Sequence, residues 1–207
     1  MAEITLQDIA HSYNPEAADK TYALNRFDMK WVDGGRYAIL GPSGCGKTTM
    51  LNIMSGIVRP SEGRLLFDGV DVTDHTTAER NIAQVFQFPV IYGTMTVQDN
   101  LAFPLVCRGY DKAFIKAKVA EVSEALNLEG LLTQSANKLT ADQKQLISLG
   151  RGLVRDNVAA VLMDEPLTVI DPDLKFRLRR KLKEINQKYR STLIYVTHDQ
   201  NEAMTFA

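Results

Sequence analysis

One octapeptide restricts the fold of this chain more than any other feature of its sequence. Residues 41–48 are Gly-Pro-Ser-Gly-Cys-Gly-Lys-Thr, which matches the pattern G-x-x-x-x-G-K-[ST] at every fixed position. The apolar run at 37–40 predicts a buried strand before it, and residues 49–54 predict a helix after it. A glycine-rich turn between a strand and a helix is the context in which this pattern binds phosphate. The alternative, an ordinary glycine-rich turn, does not account for the agreement of strand, loop and helix with the pattern.

The residue types in this octapeptide predict which atoms would contact a nucleotide. Its glycines permit backbone conformations in which successive N–H groups point inward around phosphates, and the helix that follows adds its N-terminal positive field. Lys47 supplies a mobile positive charge for the β- and γ-phosphates, and the Thr48 hydroxyl is a predicted Mg²⁺ ligand. The predicted ATP-binding residues here are Gly41, Ser43, Gly44, Cys45, Gly46, Lys47, Thr48 and Thr49.

The composition excludes several classes of protein. The chain has 207 residues, 45% of them apolar, and a formal net charge of −1, so it has no overall basic field for nucleic acid. Two cysteines, Cys45 and Cys107, do not form a disulfide scaffold and fit a reducing compartment. The sequence contains no apolar run of membrane-spanning length and no signal-peptide pattern at its start. Any membrane association is therefore expected to be peripheral and on the inner side.

Hydrophobic periodicity predicts strands first, then a mostly helical block, then strands alternating with a helix. Predicted strands lie at 3–9, 23–32, 64–67, 82–86, 159–163 and 192–196. Predicted helices lie at 114–126, 143–153 and 174–189, and their apolar stripes are interpreted as core packing. Asp33-Gly34-Gly35 predicts a hairpin turn, and Asp68-Gly69 predicts another turn. A phosphate-binding turn in such an α/β core indicates a nucleotide site.

Polar side chains at the ends of apolar strands predict the chemistry of this site. Asp164 and Glu165 follow the apolar run 160–163; Asp164 is predicted to hold Mg²⁺, and Glu165 to orient or deprotonate the attacking water. His198 follows the next apolar strand, where it can contact the γ-phosphate. Gln87 ends another strand and can bind Mg²⁺-bound water. A lone histidine or glutamine is more often structural. The predicted catalytic residues are Glu165, His198 and Gln87, and the predicted metal ligands are Thr48, Gln87 and Asp164.

Six segments of this sequence together resemble the ATP-binding subunit of an ATP-binding-cassette (ABC) transporter: GPSGCGKTT, VFQ, LTADQ, LMDEP, IDP and VTHD. They occur in that family's order, and the resemblance covers essentially the whole chain. ERNIAQVFQ and MTVQDNLAFPLVCRG are similar to the maltose-type importers, which serve sugars, polyols and glycerol phosphate. The resemblance implies an α/β P-loop NTPase core, a mixed sheet with helices, at 1–87 and 158–207. It also implies an N-terminal antiparallel β subdomain and an inserted α-helical subdomain at 88–157.

The resemblance further implies roles for residues that the motifs alone do not assign. Tyr13 matches the aromatic residue that stacks on adenine, with Tyr22 as the alternative. Asp171 matches a loop that crosses to a partner subunit, and residues 88–108 match the region that contacts the transmembrane permease subunits. The implied protein is a dimeric ATPase that uses ATP and Mg²⁺. It would lie peripherally on the cytoplasmic face of a prokaryotic membrane and bind no nucleic acid.

Residues 139–143 depart from the family signature LSGGQ. Thr140 keeps the hydroxyl, but Ala141 and Asp142 replace both glycines. In the family this helix N-terminus contacts the γ-phosphate held by the opposite subunit, so the Asp142 carboxylate opposes that contact. Asp142 capping its own helix is the alternative interpretation. The residues assigned to this contact are Thr140, Asp142, Gln143 and Asp171. The crossing loop, Thr168-Val169-Ile170-Asp171, departs from the family's Ser-Ala-Leu-Asp.

The altered signature leads to the hypothesis of a heterodimer whose other ATPase subunit carries a consensus signature; a homodimer stays open. Two other functions also stay open: a non-transport ATPase of the same superfamily, and a regulatory ATP-binding subunit with little hydrolysis of its own. The family pattern continues well past the histidine at 198, after which this sequence has only nine residues. We therefore expect the sequence to be part of a longer protein.

Overall fold

The computed structural model describes residues 2–17, 19–155, 157–168, 170–189 and 192–207. Val169, in the predicted crossing loop, lies outside them. The elements in chain order are β1 (Ile4–His11), β2 (Leu24–Trp31), β3 (Arg36–Leu40), α1 (Lys47–Ser55), β4 (Glu62–Phe67), β5 (Val70–Asp71), α2 (Thr77–Arg80), β6 (Ala83–Val85), α3 (Val97–Val106), α4 (Lys112–Ala125), α5 (Ala141–Leu153), β7 (Val161–Asp164), α6 (Pro172–Tyr189), β8 (Leu193–Thr197) and α7 (Gln200–Phe206). Two short 3₁₀ turns, Glu129–Leu131 and Ala136–Lys138, precede α5.

The chain divides into two compact units. The first comprises residues 1–84, 158–164 and 185–207, and the second comprises residues 85–157 and 165–184. The second unit takes in 165–184, which the sequence-based division grouped with the nucleotide-binding core. That division into 1–87 with 158–207, and 88–157, stays a prediction.

The first unit contains an antiparallel sheet with the strand order β2-β1-β4-β5. Its inner face is apolar because the alternate residues Ile4 and Leu6 of β1 are fully buried in the core. Ile9, which follows a register shift in β1, is fully buried in the same cluster. The predicted turn at Asp68-Gly69 is confirmed, since it joins β4 to β5. The predicted hairpin at 33–35 is wrong. A turn is present, but β2 and β3 belong to different sheets, because each finds its pairing partner elsewhere in the chain.

The second sheet has the order β3-β8-β7-β6, and β8 pairs in parallel with both β3 and β7. The central strands β7 and β8 are buried throughout, as their aliphatic sequences predict. The strand predicted at 37–40 is present, but the prediction that it is buried is wrong. β3 lies at the end of the sheet, so its residues are half-buried and Leu40 is 45% exposed.

The predicted helical block is confirmed: α3, α4 and α5 follow one another between β6 and β7. The predicted stripes at 114–126 and 143–153 correspond to α4 and α5, and the basic stripe at 174–189 corresponds to α6. Helix α3 was not predicted individually, although Thr96 and Asp99 form a capping box at its start that the sequence could have shown. The antiparallel sheet, parallel-paired core sheet and helical block together confirm the predicted fold class. Among the described residues, no helix is both long and apolar enough to cross a membrane.

Candidate nucleotide-binding site

The glycine-rich loop connects β3 to α1 and leaves the helix N-terminus uncapped by side chains. Gly44 and Gly46 have φ angles of 82° and 92°, in the left-handed region that favours glycine. A Cβ on Gly46 would lie 2.5 Å from the carbonyl oxygen of Ala23, so only glycine fits here. Gly46 is the N-cap of α1, and it makes no side-chain cap hydrogen bond to the first turn. The backbone N–H groups of that turn are therefore available to an external acceptor.

Lys47 lies at the base of this loop and is only 8% exposed. Its ammonium donates to the carbonyl oxygens of Gly41 (2.7 Å) and Pro42 (2.8 Å), and Nζ lies 3.9 Å from the Cys45 thiol sulfur. The two backbone carbonyls are uncharged acceptors. A buried ammonium held by neutral groups is well placed to bind an anion that enters the loop, since charged hydrogen bonds are stronger than neutral ones.

Thr48 and Asp164 place two oxygen atoms side by side. The Thr48 hydroxyl donates to Asp164 Oδ2 at 2.7 Å, and Asp164, at the end of β7, is 6% exposed. These hard oxygen ligands fit Mg²⁺, which is usually held by one or two protein groups and completes its octahedron with phosphate and water. Among the described residues, no group of three or more His, Cys, Asp and Glu side chains gathers into a metal cluster.

The structure separates the two candidate aromatic residues. The Tyr13 hydroxyl lies 3.2 Å from Thr49 Oγ1, at the start of α1, and the Tyr13 side chain is 60% exposed. The Tyr22 hydroxyl instead donates to Glu62 Oε1 at 2.6 Å. Of the two, Tyr13 is the one with a direct contact to the helix that follows the loop.

In the second unit, two predicted catalytic residues lie together. Gln87 Nε2 is 3.5 Å from Glu165 Oε2, and Thr168 Oγ1 donates to the backbone carbonyl of Glu165 at 2.9 Å. Glu165 has a φ of 44°, in the left-handed region that is uncommon for residues other than glycine. His198, in the first unit, is exposed directly after β8.

The family model described as "ABC transporter" matches residues 24–168. The chain belongs to the ABC transporter family. It is 39% identical over its whole length to the sn-glycerol-3-phosphate import ATP-binding protein UgpC of Pectobacterium atrosepticum, of which it covers 57%. It is 40% identical over 99% of its length to the trehalose import ATP-binding protein SugC of Mycobacterium tuberculosis, of which it covers 51%. The chain thus spans about half the length of these curated relatives.

A solved ABC structure agrees with the fold. The ATP-binding cassette MJ0796, in a dimeric post-hydrolysis state bound to ADP and Pi, superposes with a TM-score of 0.87 at 26% identity. The match covers 98% of this chain and 90% of the cassette. The combination of antiparallel sheet, core sheet and helical block described above is therefore that of an ABC cassette.

The ABC signature segment forms the first turn of α5, and its own side chains occupy that turn. Thr140 is the N-cap: its hydroxyl accepts from the Gln143 N–H, and the Gln143 side chain accepts from the Thr140 N–H at 3.1 Å. The Thr140 hydroxyl also donates to the Asp142 carboxylate. The interpretation that Asp142 caps its own helix is therefore wrong, because Thr140 is the N-cap. Asp142 is an acid in the first turn, where the helix dipole favours it.

Two structural roles were missed by the sequence analysis of this ABC cassette. Gln145 is fully buried on α5 and donates to the carbonyl oxygens of Phe86 (3.1 Å) and Pro166 (2.9 Å). These two residues flank Gln87 and Glu165, so Gln145 holds the backbone beside both. A polar residue within the apolar stripe of α5 was the available signal. Asp171 caps α6, since its Oδ1 accepts from the N–H groups two and three residues further on (3.0 and 3.4 Å).

Proposed function

We propose that this chain is the ATP-hydrolysing subunit of an ABC importer and binds Mg²⁺-ATP at the start of α1. One observation carries this proposal. Lys47 is buried with its ammonium on neutral carbonyls of its own loop, while Thr48 and Asp164 present two oxygens 2.7 Å apart at the same helix N-terminus. Phosphate oxygens would be better acceptors for Lys47 than carbonyls, because they carry charge. Bound Mg²⁺ would supply electrostatic stabilisation of the phosphates.

The hydrolytic step is assigned to Glu165, Gln87 and His198. Glu165 would accept a proton from the attacking water, and Gln87, 3.5 Å from it, would orient that water. His198 would contact the γ-phosphate. Backbone strain at a residue often accompanies function, and the left-handed conformation of Glu165 fits this assignment. Gln145 supports this assignment because it holds the backbone just before Gln87, at Phe86, and just after Glu165, at Pro166.

The transported solute is proposed from the relatives alone. UgpC is named for import of sn-glycerol-3-phosphate and SugC for import of trehalose. We therefore propose a carbohydrate, polyol or glycerol-phosphate solute. In this proposal the membrane subunits select the solute, and the cassette supplies the energy that drives transport.

Two protein partners are proposed. Transmembrane permease subunits would contact the 88–108 region, which exposes several large apolar side chains, as docking surfaces often do: Phe88, Val90, Tyr92 and Val106. The second partner is another ATPase subunit, supported by the dimeric state of the related cassette. The Asp142 carboxylate at the α5 N-terminus favours a heterodimer, in which the other subunit supplies a glycine-containing signature to this chain's ATP. The assembly would lie peripherally on the cytoplasmic face of a prokaryotic membrane.

The same observation at α5 supports a second candidate function, a regulatory ATP-binding subunit with little hydrolysis of its own. ATPase assays of the assembled transporter with Glu165→Gln in this chain separate the two. If this chain hydrolyses ATP, the substitution lowers turnover about 100-fold or more at its site, the scale of a lost general base. Unchanged turnover of the complex would assign hydrolysis to the partner and contradict the first proposal.

A further inference from the structure

The side chain of Tyr13 is fixed from two directions. Its hydroxyl lies 3.2 Å from Thr49 Oγ1, and its ring makes a T-shaped contact with the His11 ring, with centroids 4.6 Å apart and planes at 88°. Edge-to-face aromatic pairs are favourable and directional. The exposed part of the Tyr13 ring therefore has a set orientation before any ligand binds.

His11 is in turn held by Ser61. The imidazole is 7% exposed, and its Nδ1 lies 3.2 Å from the Ser61 hydroxyl oxygen. The Ser61 hydroxyl also accepts from the Ser12 N–H and donates to the Ser12 carbonyl oxygen, each at 3.1 Å. Burial lowers the pKa of His11, so the ring that faces Tyr13 is neutral near pH 7. Ser61 thus fixes both the His11 ring and the backbone next to it.

A β-bulge in β1 brings these residues together. The register between β1 and β4 shifts after Gln7, and Asp8 has a φ of 51°. Opposite it, Gly63 has a φ of 84°, and a Cβ there would lie 2.4 Å from the carbonyl oxygens of Gln7 and Asp8. A bulge redirects the side chains that follow it. Beyond this one, Ala10 pairs with Glu62, which places Ser61 beside His11.

The residue after Ser61 anchors the other end of the same loop. Glu62 accepts from the Tyr22 hydroxyl at 2.6 Å and from Lys20 Nζ at 2.9 Å, and it also pairs with Arg26. Hydrogen bonds from Tyr22 and Lys20 hold the pKa of Glu62 down to about 2. Ser61 and Glu62, the residue before β4 and the first residue of β4, therefore hold both ends of the segment that carries Tyr13.

We propose that His11 and Ser61 are positioning residues for the nucleotide base, because they orient the Tyr13 ring against which the base packs. This inference rests on the proposed function, since it requires that ATP binds at the start of α1, and on the role of Tyr13 beside adenine that the family resemblance implies. His11 contacts the Tyr13 ring, and Ser61 contacts His11 and the backbone of Ser12, the residue before Tyr13. Substitutions at His11 and Ser61 should therefore weaken the binding of the ligand's base and leave the binding of its triphosphate unchanged.

The test compares a ligand that has a base with one that lacks it. Dissociation constants of the full-length protein are measured by calorimetry for Mg²⁺-ATP and for inorganic tripolyphosphate with Mg²⁺. His11→Leu is expected to weaken ATP binding about 3- to 10-fold, the scale of one aromatic edge contact, and to leave tripolyphosphate binding unchanged. Ser61→Ala is expected to act in the same direction with a smaller effect. The control is His75→Leu, at an exposed histidine of the same unit, with neither constant altered.

A double variant separates positioning from general damage to the fold. In a Tyr13→Ala background, His11→Leu is expected to have no further effect on ATP binding, because its action passes through Tyr13. An effect that persists there, an equal loss for both ligands, or no loss at all would overturn the inference while leaving ATP binding established. Wild-type protein that binds neither ligand would overturn the proposed function and this inference together.

Discussion

Helices α1 and α5 both begin at a motif of the ABC family, yet their first turns carry opposite chemistry. Within Lys47–Ser55, α1 starts at a glycine with no side-chain cap and no acid in its first turn. α5 starts at Thr140, whose capping box with Gln143 uses donors of the first turn, and Asp142 adds a carboxylate there. We infer that α1 offers its first N–H groups and its positive field to phosphate, whereas in α5 the capping box and the Asp142 carboxylate oppose such binding.

The largest expected effect comes from removing the charge at α1. Lys47→Ala should weaken Mg²⁺-ATP binding by about 100-fold or more, since hydrogen bonds to charged groups contribute roughly 1.5–3 kcal/mol each. Calorimetry measures the binding, and circular dichroism checks that the fold is kept. The matched control is Lys144→Ala, which removes a lysine from the first turns of α5. Equal losses in the two variants would contradict the assignment of phosphate to α1.

Glu165→Gln should separate binding from hydrolysis. The amide keeps the size of the side chain and its contact with Gln87 but cannot accept a proton, so turnover should fall about 100-fold or more while ATP binding is kept. Single-turnover assays with radiolabelled ATP measure both quantities. Loss of binding in this variant would show that the carboxylate contributes to affinity and not only to the chemical step.

Glycines in the first turn of α5 should leave its N-terminus open to phosphate, as the N-terminus of α1 is. Replacing residues 140–142 by Ser-Gly-Gly removes the carboxylate and is expected to raise ATPase turnover of the assembled complex about 3- to 10-fold, the scale of one unfavourable charge interaction near the surface. The free energy of unfolding should fall by about 1 kcal/mol, because glycine weakens a helix and the favourable dipole interaction of Asp142 is lost.

Asp142→Asn is the control for this exchange, because it removes the charge and keeps the side chain. If the negative charge of Asp142 limits turnover, Asp142→Asn should reproduce part of the gain in turnover. A triple variant with unchanged turnover would show that the first turn of α5 does not limit the reaction.

The smallest expected effect concerns the loop that holds Tyr13 near α1. Hydrogen bonds and nearby cations lower the pKa of Glu62 from its usual 4.5 to about 2. The folded state therefore binds this proton less readily than the unfolded state. Its stabilising contribution is complete above pH 4.5 and disappears as the pH falls toward 2. Glu62→Gln should flatten this part of the pH profile of the unfolding free energy, and denaturant titrations from pH 2 to 6 measure it.

The features that local sequence determines were predictable, and those that depend on distant pairing were not. The positive φ angles at Gly44 and Gly46 and the helix that follows them belong to one contiguous motif. By contrast, the turn at 33–35 looks like a hairpin until the partners of β2 and β3 are known, since those partners lie elsewhere in the chain. The half-exposure of Leu40 likewise depends on the place of β3 at the end of its sheet.

The same distinction applies to the site. The sequence leaves Tyr13 and Tyr22 as alternatives for the aromatic residue that stacks on adenine. The contact between Tyr13 and Thr49, 36 residues apart, favours Tyr13. Gln145 could be noticed as a polar residue in an apolar stripe, but its acceptors at Phe86 and Pro166 are tertiary contacts. The cap that Thr140 forms was foreseeable from its spacing to Gln143.

Sedimentation velocity of the full-length Glu165→Gln protein, alone and with saturating Mg²⁺-ATP, tests the contrast between α1 and α5 most directly. We expect ATP to bind without increasing the sedimentation coefficient, because the Asp142 carboxylate opposes closure of α5 on a second copy's γ-phosphate. The same protein with Ser-Gly-Gly at 140–142 should sediment faster when ATP is added. An ATP-dependent dimer with Asp142 in place would contradict the claim that this carboxylate opposes closure, and it would favour a homodimer over a heterodimer.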